Sequence, residues 1–230
     1  MRAIVFLLIA PLAVPLAAQV PRVTPFQEQK ARALLRDHLP CLGCHELGGA
    51  GGRTAPSLTS VAERRSAAYI RAIIEDPQRV VPGAAMPRVA MPPATRELVV
   101  RYVSRNASDA SGGVSPTAGV KVVPEPPHSP AATYAHWCAS CHGERGGGDG
   151  PNAKYLPVRP AIHSSAAQMR ARSDDVLFDA IAGGGAVMGK SARMPPFGAT
   201  LAPGQIRSLV AYIRTLCACH GPAWSLDGSR

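Results

Sequence analysis

Two copies of the pattern Cys-x-x-Cys-His constrain this chain more than any other feature. They are Cys41-Leu42-Gly43-Cys44-His45 and Cys138-Ala139-Ser140-Cys141-His142. The spacing lets two thiols bond to the two vinyl groups of one haem while the adjacent imidazole reaches its iron. A zinc site would gather four ligands, whereas each motif offers three, and a disulfide framework is the other rival use of these cysteines. The sequence therefore predicts two covalently bound haem c groups.

The segment over residues 1–18 has the composition of a secretory signal peptide. Arg2 is followed by an apolar run over residues 3–10, and small residues precede Gln19. Prolines interrupt the apolar segment, which is shorter than the ~20 residues needed to cross a bilayer. We therefore expect export to the periplasm and cleavage near Ala18. After cleavage we expect no stable membrane span, with membrane association only through a partner.

The remaining chain reads as an internal repeat. Each half contains, in the same order, a short helix, the haem motif, a Gly-rich loop, a helix, a Met-Pro segment and a closing helix. A Gly- and Pro-rich stretch over residues 107–128 separates the halves and is typical of a linker. The predicted units are residues 22–106 and 129–220, followed by a tail over 221–230. Neither half shows the alternation of a strand, so the predicted fold class is all-α.

Several helix boundaries are marked by capping residues. Thr24 precedes Pro25 and lies three residues before Gln27, which predicts the start of the first helix. Ser129-Pro130 predicts the same start in the second half. The closing helices are expected over residues 95–105 and 203–216.

A middle helix is expected in each half. In the first half it covers residues 66–75. In the second half, Ser173 caps a helix over 173–181, and the three glycines at 183–185 close it.

Each half resembles a class I cytochrome c domain, and the whole chain is similar to dihaem c-type cytochromes built from two such domains in tandem. The second half carries the closer motifs, which are Cys138-Ala139-Ser140-Cys141-His142-Gly143, Gly146-Gly147-Gly148-Asp149-Gly150-Pro151 and Met194-Pro195-Pro196-Phe197-Gly198. The resemblance implies a haem wrapped by the opening and closing helices. It also implies a methionine on a late loop as the sixth iron ligand.

Under this resemblance the iron ligands are His45 with Met86 and His142 with Met194. Met194 is preferred over Met188, which lacks a following proline, and over Met169, which reads as a core residue. In the first half Met86 and Met91 both precede proline and compete. The interval from Met86 to Tyr102 is close to that from Met194 to Tyr212, whereas Met91 lies nearer to Tyr102, so Met86 is preferred.

The resemblance also implies a proline carbonyl as acceptor for the second nitrogen of each histidine ligand. Pro56 fits that role for His45, and Pro160 is preferred to Pro157 for His142. Arg53 and Arg159 are candidates to approach haem propionates. The other histidines, His38, His128, His136 and His163, are expected to be ordinary surface or loop residues, and any of them is an alternative haem ligand if a methionine assignment fails.

Two further cysteines lie in Leu216-Cys217-Ala218-Cys219-His220. Leu216 stands where a third haem motif would need its first cysteine, so we expect no third haem. A Cys-x-Cys disulfide, a bound metal ion and a tether to another protein remain open for this pair.

The charge of the chain bears on its partners. Lys and Arg number 25 against 15 Asp and Glu, a formal net charge of +10, which becomes +9 without Arg2. No basic run interleaved with aromatics supports nucleic-acid binding, and a basic surface favours acidic protein partners. We therefore expect a redox protein donor and a redox protein acceptor with acidic docking surfaces.

The predicted function is transfer of single electrons between redox proteins by an exported dihaem carrier that is not itself an enzyme. The sequence shows no paired carboxylates and no nucleophile beside a base. One alternative is the cytochrome subunit of a periplasmic dehydrogenase or sulfur-oxidation complex. A dihaem peroxidase-like enzyme would need an exchangeable or His-ligated iron, and a methionine in each half argues against it.

Overall fold

The computed structural model describes residues 23–105 and 129–225, which are mainly helical. The predicted signal peptide and linker, and residues 226–230 of the predicted tail, lie outside the described residues. In the first half the α-helices are α1 (Pro25–Ala33), α2 (Ala67–Glu75), α3 (Pro77–Val80) and α4 (Pro93–Val103). In the second half they are α5 (Pro130–Trp137), α6 (Ala139–His142), α7 (Ala166–Arg170), α8 (Asp174–Val187) and α9 (Pro203–Cys217).

Shorter turns connect these helices. Single 3₁₀ turns occupy Pro40–Gly43, Val61–Glu63, Ala153–Tyr155 and Ala223–Ser225. Two short strands, β1 (Glu46–Leu47) and β2 (Ala50–Gly51), pair antiparallel with Glu46 opposite Gly51. The sequence carried no signal for this ribbon because such short strands cannot show alternation.

The start of α1 confirms the capping signal in the sequence. Thr24 Oγ1 accepts a hydrogen bond from Gln27 N at 3.2 Å, and Gln27 Oε1 accepts one from Thr24 N at 3.0 Å. The two side chains thus satisfy two backbone donors that a helix start leaves unpaired. The helix continues as a wider π-type turn over Leu34–His38, which carries the chain to the first haem motif.

The middle helix of the second half begins as predicted but ends later. Ser173 Oγ accepts a hydrogen bond from Val176 N at 3.3 Å, as expected of the N-cap. The backbone leaves helical geometry at Gly184, with φ 79° and ψ 175°, and one further turn follows to Val187. The glycine run therefore interrupts α8 and does not end it.

The two closing helices also start close to their predicted positions. Helix α4 begins slightly earlier than expected, because Pro93 occupies its first position, where the missing N–H costs nothing. Helix α9 begins at Pro203 as predicted and extends to Cys217, just past its expected end.

Each half has its own hydrophobic core. The first core cluster lies where α1, α2 and α4 meet and consists of Ala31, Leu35, Leu39, Ile70, Val99, Val100, Tyr102 and Val103. The second core cluster gathers buried side chains from α5, α7, α8 and α9, which include Tyr134, Met169, Leu177, Ile181, Ile206, Leu209, Val210 and Ile213. Opening and closing helices therefore pack together in both halves.

The halves also contact each other through side-chain hydrogen bonds to backbone. Thr200 Oγ1 accepts a hydrogen bond from Arg88 N at 2.8 Å, and Arg193 Nη1 donates to Leu35 O at 3.0 Å. Within the two described ranges, 23–105 and 129–225, no helix combines the length and apolar character that a bilayer crossing requires.

Candidate haem-binding sites

The second Cys-x-x-Cys-His motif is held between α5 and a Gly-rich loop. Cys138 follows α5, and Cys141 and His142 end the single turn of α6. His142 N donates to Cys138 O at 2.9 Å, and Gly148 N donates to His142 O at 2.8 Å. The backbone thus presents both thiols and the imidazole from one short, anchored segment.

These side chains meet the predicted methionine in one cavity. The cavity has a volume of about 510 Å³, and its wall includes Cys138, Cys141, His142 and Met194. Cofactor sites typically span roughly 300–1,000 Å³ with mostly apolar walls. Two thiols, an imidazole and a thioether are also the donor set that c-type haem uses. The residues of the second half therefore fit a covalently bound haem.

The ring orientation of His142 is set by a backbone carbonyl. Nδ1 of His142 donates to Ala161 O at 2.9 Å, which leaves Nε2 as the nitrogen available to a metal. The prediction of Pro160 as acceptor was therefore wrong, and the acceptor is its neighbour in the chain. The Pro160 carbonyl instead faces the Gly-rich loop, because a Cβ placed on Gly148 would lie 2.9 Å from that oxygen.

A second imidazole lies against His142. The rings of His163 and His142 stack with centroids 4.1 Å apart and an interplanar angle of 12°. His163 is buried, and its Nδ1 is 2.9 Å from the Tyr134 hydroxyl. Burial, together with the neighbouring His142, lowers the pKa of His163 to about 2, so this ring is neutral at physiological pH. His163 lies in a loop, as expected, but it is buried and stacked on His142, so the expectation of a surface position was wrong.

His136, another histidine expected at the surface, is half-buried between the two halves. Its ring packs edge-on against Trp137, with centroids 4.6 Å apart. Burial is the largest influence on His136 and lowers its pKa, against the opposing effect of a hydrogen bond to the backbone of Ala84 in the first half. His136 therefore belongs to the contact between the halves.

Met194 is tied to the interruption in α8. Gly185 N donates to Met194 O at 3.0 Å, and Phe197 N donates to Ile181 O at 2.9 Å. Met169 is fully buried in the core, as expected, and both Met169 and Met188 also line the cavity. The backbone bonds on both sides of Met194 position its loop over the cavity.

The first motif has the same local design. Cys41 and Gly43 belong to a 3₁₀ turn, and His45 N donates to Cys41 O at 2.9 Å. Nδ1 of His45 donates to Pro56 O at 2.7 Å, which confirms the predicted acceptor. Ala55 N in turn donates to Cys44 O at 3.1 Å, so the segment that carries Pro56 is bound to the motif itself.

The two methionine candidates of the first half occupy different surroundings. Met91 packs against the first core cluster, as Cys41 does. Met86 is half-buried, and its carbonyl accepts a hydrogen bond from Gln78 Nε2 at 3.3 Å. The loop from Met86 to the start of α4 is nearly as long as the loop from Met194 to the start of α9, whereas Met91 almost adjoins α4. Packing thus favours Met91 and loop length favours Met86.

None of the four motif cysteines forms a disulfide, so all four are available for haem attachment. Burial raises the pKa of the Cys138 thiol to about 12 and those of the Cys41 and Cys44 thiols to about 11.

Cys44 belongs to the first motif, yet it lines the cavity of the second half. The two attachment motifs therefore lie side by side, a proximity that the long stretch of chain between them conceals in the sequence.

The two arginine candidates differ in position. Arg159 is exposed and lines the cavity of the second half. The guanidinium carbon of Arg53 lies 4.7 Å from the ring centroid of Tyr155, across the contact between the halves. Arg159 therefore remains a candidate for a propionate, and Arg53 has an aromatic partner.

The remaining pair, Cys217 and Cys219, forms a disulfide at the end of α9. Ala218 between them adopts left-handed geometry with φ 45°, and Cys219 N donates to Arg214 O at 3.2 Å. The hydrogen bond from Cys219 N closes the end of the helix, and the disulfide makes both thiols unavailable for haem attachment.

Comparison with known families agrees with this site. The family model described as Cytochrome C oxidase, cbb3-type, subunit III matches residues 125–213. No curated protein and no solved structure shows a significant match to the chain. The matched segment is therefore a c-type cytochrome domain, with covalently bound haem c as its cofactor and electron transfer as its function.

Proposed function

We propose that this protein is an exported electron carrier with two haem c groups, one in each half, that passes single electrons between redox proteins. Residues 22–106 form a second cytochrome c domain in this proposal, joined to residues 129–220 by the linker. The haems are attached through Cys41 and Cys44 and through Cys138 and Cys141. The iron ligands are His45 with Met86, or with Met91 in its place, and His142 with Met194.

The observation that carries the proposal is the matching arrangement of the two motifs. In each, Nδ1 of the histidine donates to a backbone carbonyl, Pro56 O or Ala161 O, and each motif packs against its own core cluster. Such a hydrogen bond fixes the ring and strengthens the imidazole as a ligand. The first half therefore has the local features that accompany haem attachment in the second.

The chain's residues suit outer-sphere electron transfer. A bound haem supplies an iron that alternates between the ferrous and ferric states. The thioether of Met194 would ligate the iron together with His142, and this soft donor would favour the ferrous state and raise the reduction potential. The apolar walls around Leu177 and Ile181 would limit the access of water to the iron.

The mouth of the second cavity has the character of a docking surface. Val158 is 59% exposed and Val176 is 37% exposed, and both line the cavity. Arg159 and Lys190 line it as well and are exposed. Apolar side chains beside cations suit brief contact with an acidic redox protein.

A second candidate function is that of a cytochrome subunit in an exported oxidoreductase complex. The observation that favours it is the matched family itself, whose description names a subunit of an oxidase. Isolation of the native protein under mild conditions distinguishes the two functions. A free carrier elutes alone, whereas a subunit elutes with its complex.

The haem count tests the main proposal. Alkaline pyridine spectra combined with intact mass should give two haems per chain. Replacing Cys41 and Cys44 with Ser should lower the count to one, and so should replacing Cys138 and Cys141. The matched control, Cys217→Ser with Cys219→Ser, should leave two. A count of one in the unmodified protein would refute the dihaem assignment.

A further inference from the structure

A buried amide joins the two halves. The side chain of Asn152 is fully buried, and three of its hydrogen-bond partners lie in the first half, while the Cys141 thiol of the second half is also within its reach. Nδ2 donates to Gly43 O at 3.1 Å and to Thr54 Oγ1 at 2.6 Å, while Oδ1 accepts from Arg53 N at 2.8 Å. Both amide protons and the carbonyl oxygen are thus used, which is the condition under which a buried polar group fixes one arrangement.

The backbone of Asn152 serves a different purpose. Its N–H donates to Ser140 O at 2.9 Å, and its carbonyl accepts from Tyr155 N at 2.9 Å, so both bonds stay within the second half. The side chain therefore acts between the halves, while the backbone holds the residue beside the second motif.

Gly43 permits the halves to approach closely. A Cβ at Gly43 would lie 2.3 Å from Arg193 O, beside Met194, a separation that real side chains do not adopt. In the second motif Ser140 takes the place of Gly43, so a side chain is compatible with the motif itself. The glycine thus meets a requirement of the contact between the halves.

We propose that Asn152 is a positioning residue that holds the two attachment motifs together, so that the haems exchange electrons as one coupled pair. The inference rests on the proposed function, because it requires two haems. Cys44 lies on the wall of the second cavity, so a haem bonded to Cys44 would lie beside that cavity. Electron transfer weakens steeply with separation, so loss of this contact would slow transfer between the haems.

Two variants weaken the contact between the halves, one by a change in the second half and one by a change in the first. Asn152→Ala deletes three hydrogen bonds, and Gly43→Ala introduces the clash with Arg193 O. Since each buried hydrogen bond contributes about 0.5–1.5 kcal/mol, the ratio of docked to undocked protein should fall by roughly tenfold or more in Asn152→Ala. Small-angle scattering of the purified holoprotein should then show a larger radius of gyration. Pulse reduction should show slower transfer between the haems.

A matched pair of milder variants serves as control. Thr54→Val removes one bond that crosses between the halves. Thr59→Val removes bonds to Glu46 and Gly48, which stay within the first half. Thr54→Val should shift scattering and transfer rate in the same direction as Asn152→Ala, and Thr59→Val should shift neither.

The outcomes separate this inference from the proposed function. Unchanged scattering in both Asn152→Ala and Gly43→Ala would overturn the positioning role, and so would altered scattering with an unchanged transfer rate. A haem count of one in the unmodified protein would refute the proposed function. The scattering comparison would still test the contact in that case.

Discussion

At the scale of single residues, Met194, the proposed partner of His142 as iron ligand, should determine the sulfur-to-iron absorption of the second haem. Met194→Ala removes the thioether that lines the cavity. The oxidised protein should lose about half of its near-infrared sulfur-to-iron charge-transfer band, because one of two thioether ligands is gone. The covalent haem should remain, and the potential of the second haem should fall. A Met188→Ala variant that lost the band instead would show that the ligand was misassigned.

The same band distinguishes the two candidates of the first half. Met86→Ala should abolish the half of the band that Met194→Ala leaves, because the spacing to the closing helix resembles that of Met194. Met91→Ala should keep the band while lowering the free energy of unfolding, since Met91 packs against the first core cluster. The reverse pattern would assign the iron to Met91.

His163 should matter for ligand orientation. His163→Leu removes the ring stacked on His142 and leaves the buried Tyr134 hydroxyl without its partner, which costs about 1–3 kcal/mol of stability. The ferric electron paramagnetic resonance spectrum of the second haem should also change, because the imidazole of His142 would then be held by the hydrogen bond to Ala161 O alone, without the stacked ring. His163→Phe should restore the spectrum, and Tyr134→Phe should barely alter it. An unchanged spectrum in His163→Leu would limit His163 to packing.

At the scale of secondary-structure elements, the interruption of α8 should control the loop of Met194. Gly184 has φ 79° and ψ 175°, and a Cβ there would lie 2.8 Å from Pro196 N and 2.9 Å from Met194 O. Gly184→Ala should therefore cost about 1–3 kcal/mol in backbone strain and weaken the charge-transfer band of the second haem.

Gly189→Ala is the control for this prediction. Gly189 also has a positive φ, 62°, but a Cβ there would meet nothing within 4 Å. Its cost should be about 1–2 kcal/mol with the band intact. Equal loss of the band in both variants would contradict the role assigned to Gly184.

An ion pair between α2 and α4 should make the stability of the first half depend on pH. Glu97 binds Arg71 and also accepts a hydrogen bond from Arg101 Nε at 3.0 Å. The hydrogen bond from Arg71, followed by that from Arg101, lowers the pKa of Glu97 from 4.5 to about 2. Because the folded-state pKa is lowered, the stabilisation is present above pH 4.5 and disappears as the pH falls towards 2.

Glu97→Gln tests this dependence. The pair is partly exposed and screened by solvent, so the variant should lose less than about 1 kcal/mol of unfolding free energy at pH 7. Chemical denaturation at several pH values should show that difference shrinking below pH 4.5. The same Glu97→Gln change made together with Arg71→Gln and Arg101→Gln should show a smaller difference, because the partners that lower the pKa of Glu97 are gone. A difference that persists at pH 2 would assign the effect to packing.

At the scale of the whole molecule, the net charge should govern encounter with a partner. Electron transfer to an acidic redox protein should slow as salt rises, because screening acts over about 8 to 10 Å at physiological ionic strength. Arg159→Gln with Lys190→Gln should slow it most at low salt, since both cations line the cavity mouth. Arg64→Gln with Arg79→Gln removes the same charge elsewhere and should slow it less. Electron-transfer rates that do not change with salt concentration would contradict electrostatic steering.

The sequence predicted local features better than contacts between distant residues. Thr24 and Ser173 act close in the chain to their partners, so spacing alone identified them, whereas the resemblance to cytochrome c domains was needed to identify Pro56. The ribbon of β1 and β2, and the choice of Ala161 O as the acceptor for His142, depend on how glycine-rich loops fold. The spacing of residues in the sequence does not encode these loop conformations.

The misses at longer range have a different cause. The side chain of Asn152 hydrogen-bonds to residues in the other half of the chain. The ring of His163 stacks on that of His142 only because the loop after the second motif folds back against it. Only the folded chain brings these groups together. No local pattern marked either residue.

The hydrogen-bond partners of Asn152 limit which amino-acid substitutions this protein can accept during evolution. Of its three partners in the first half, two are backbone atoms, at Gly43 and Arg53. Any residue other than proline at position 53 offers the same N–H, whereas only a carboxamide at 152 supplies both donors and the acceptor. Substitutions inherited at 53 should thus be frequent and silent for this contact. Replacement at 152 should be rare, and related sequences that keep Asn152 with Gly43 should be those whose halves stay docked.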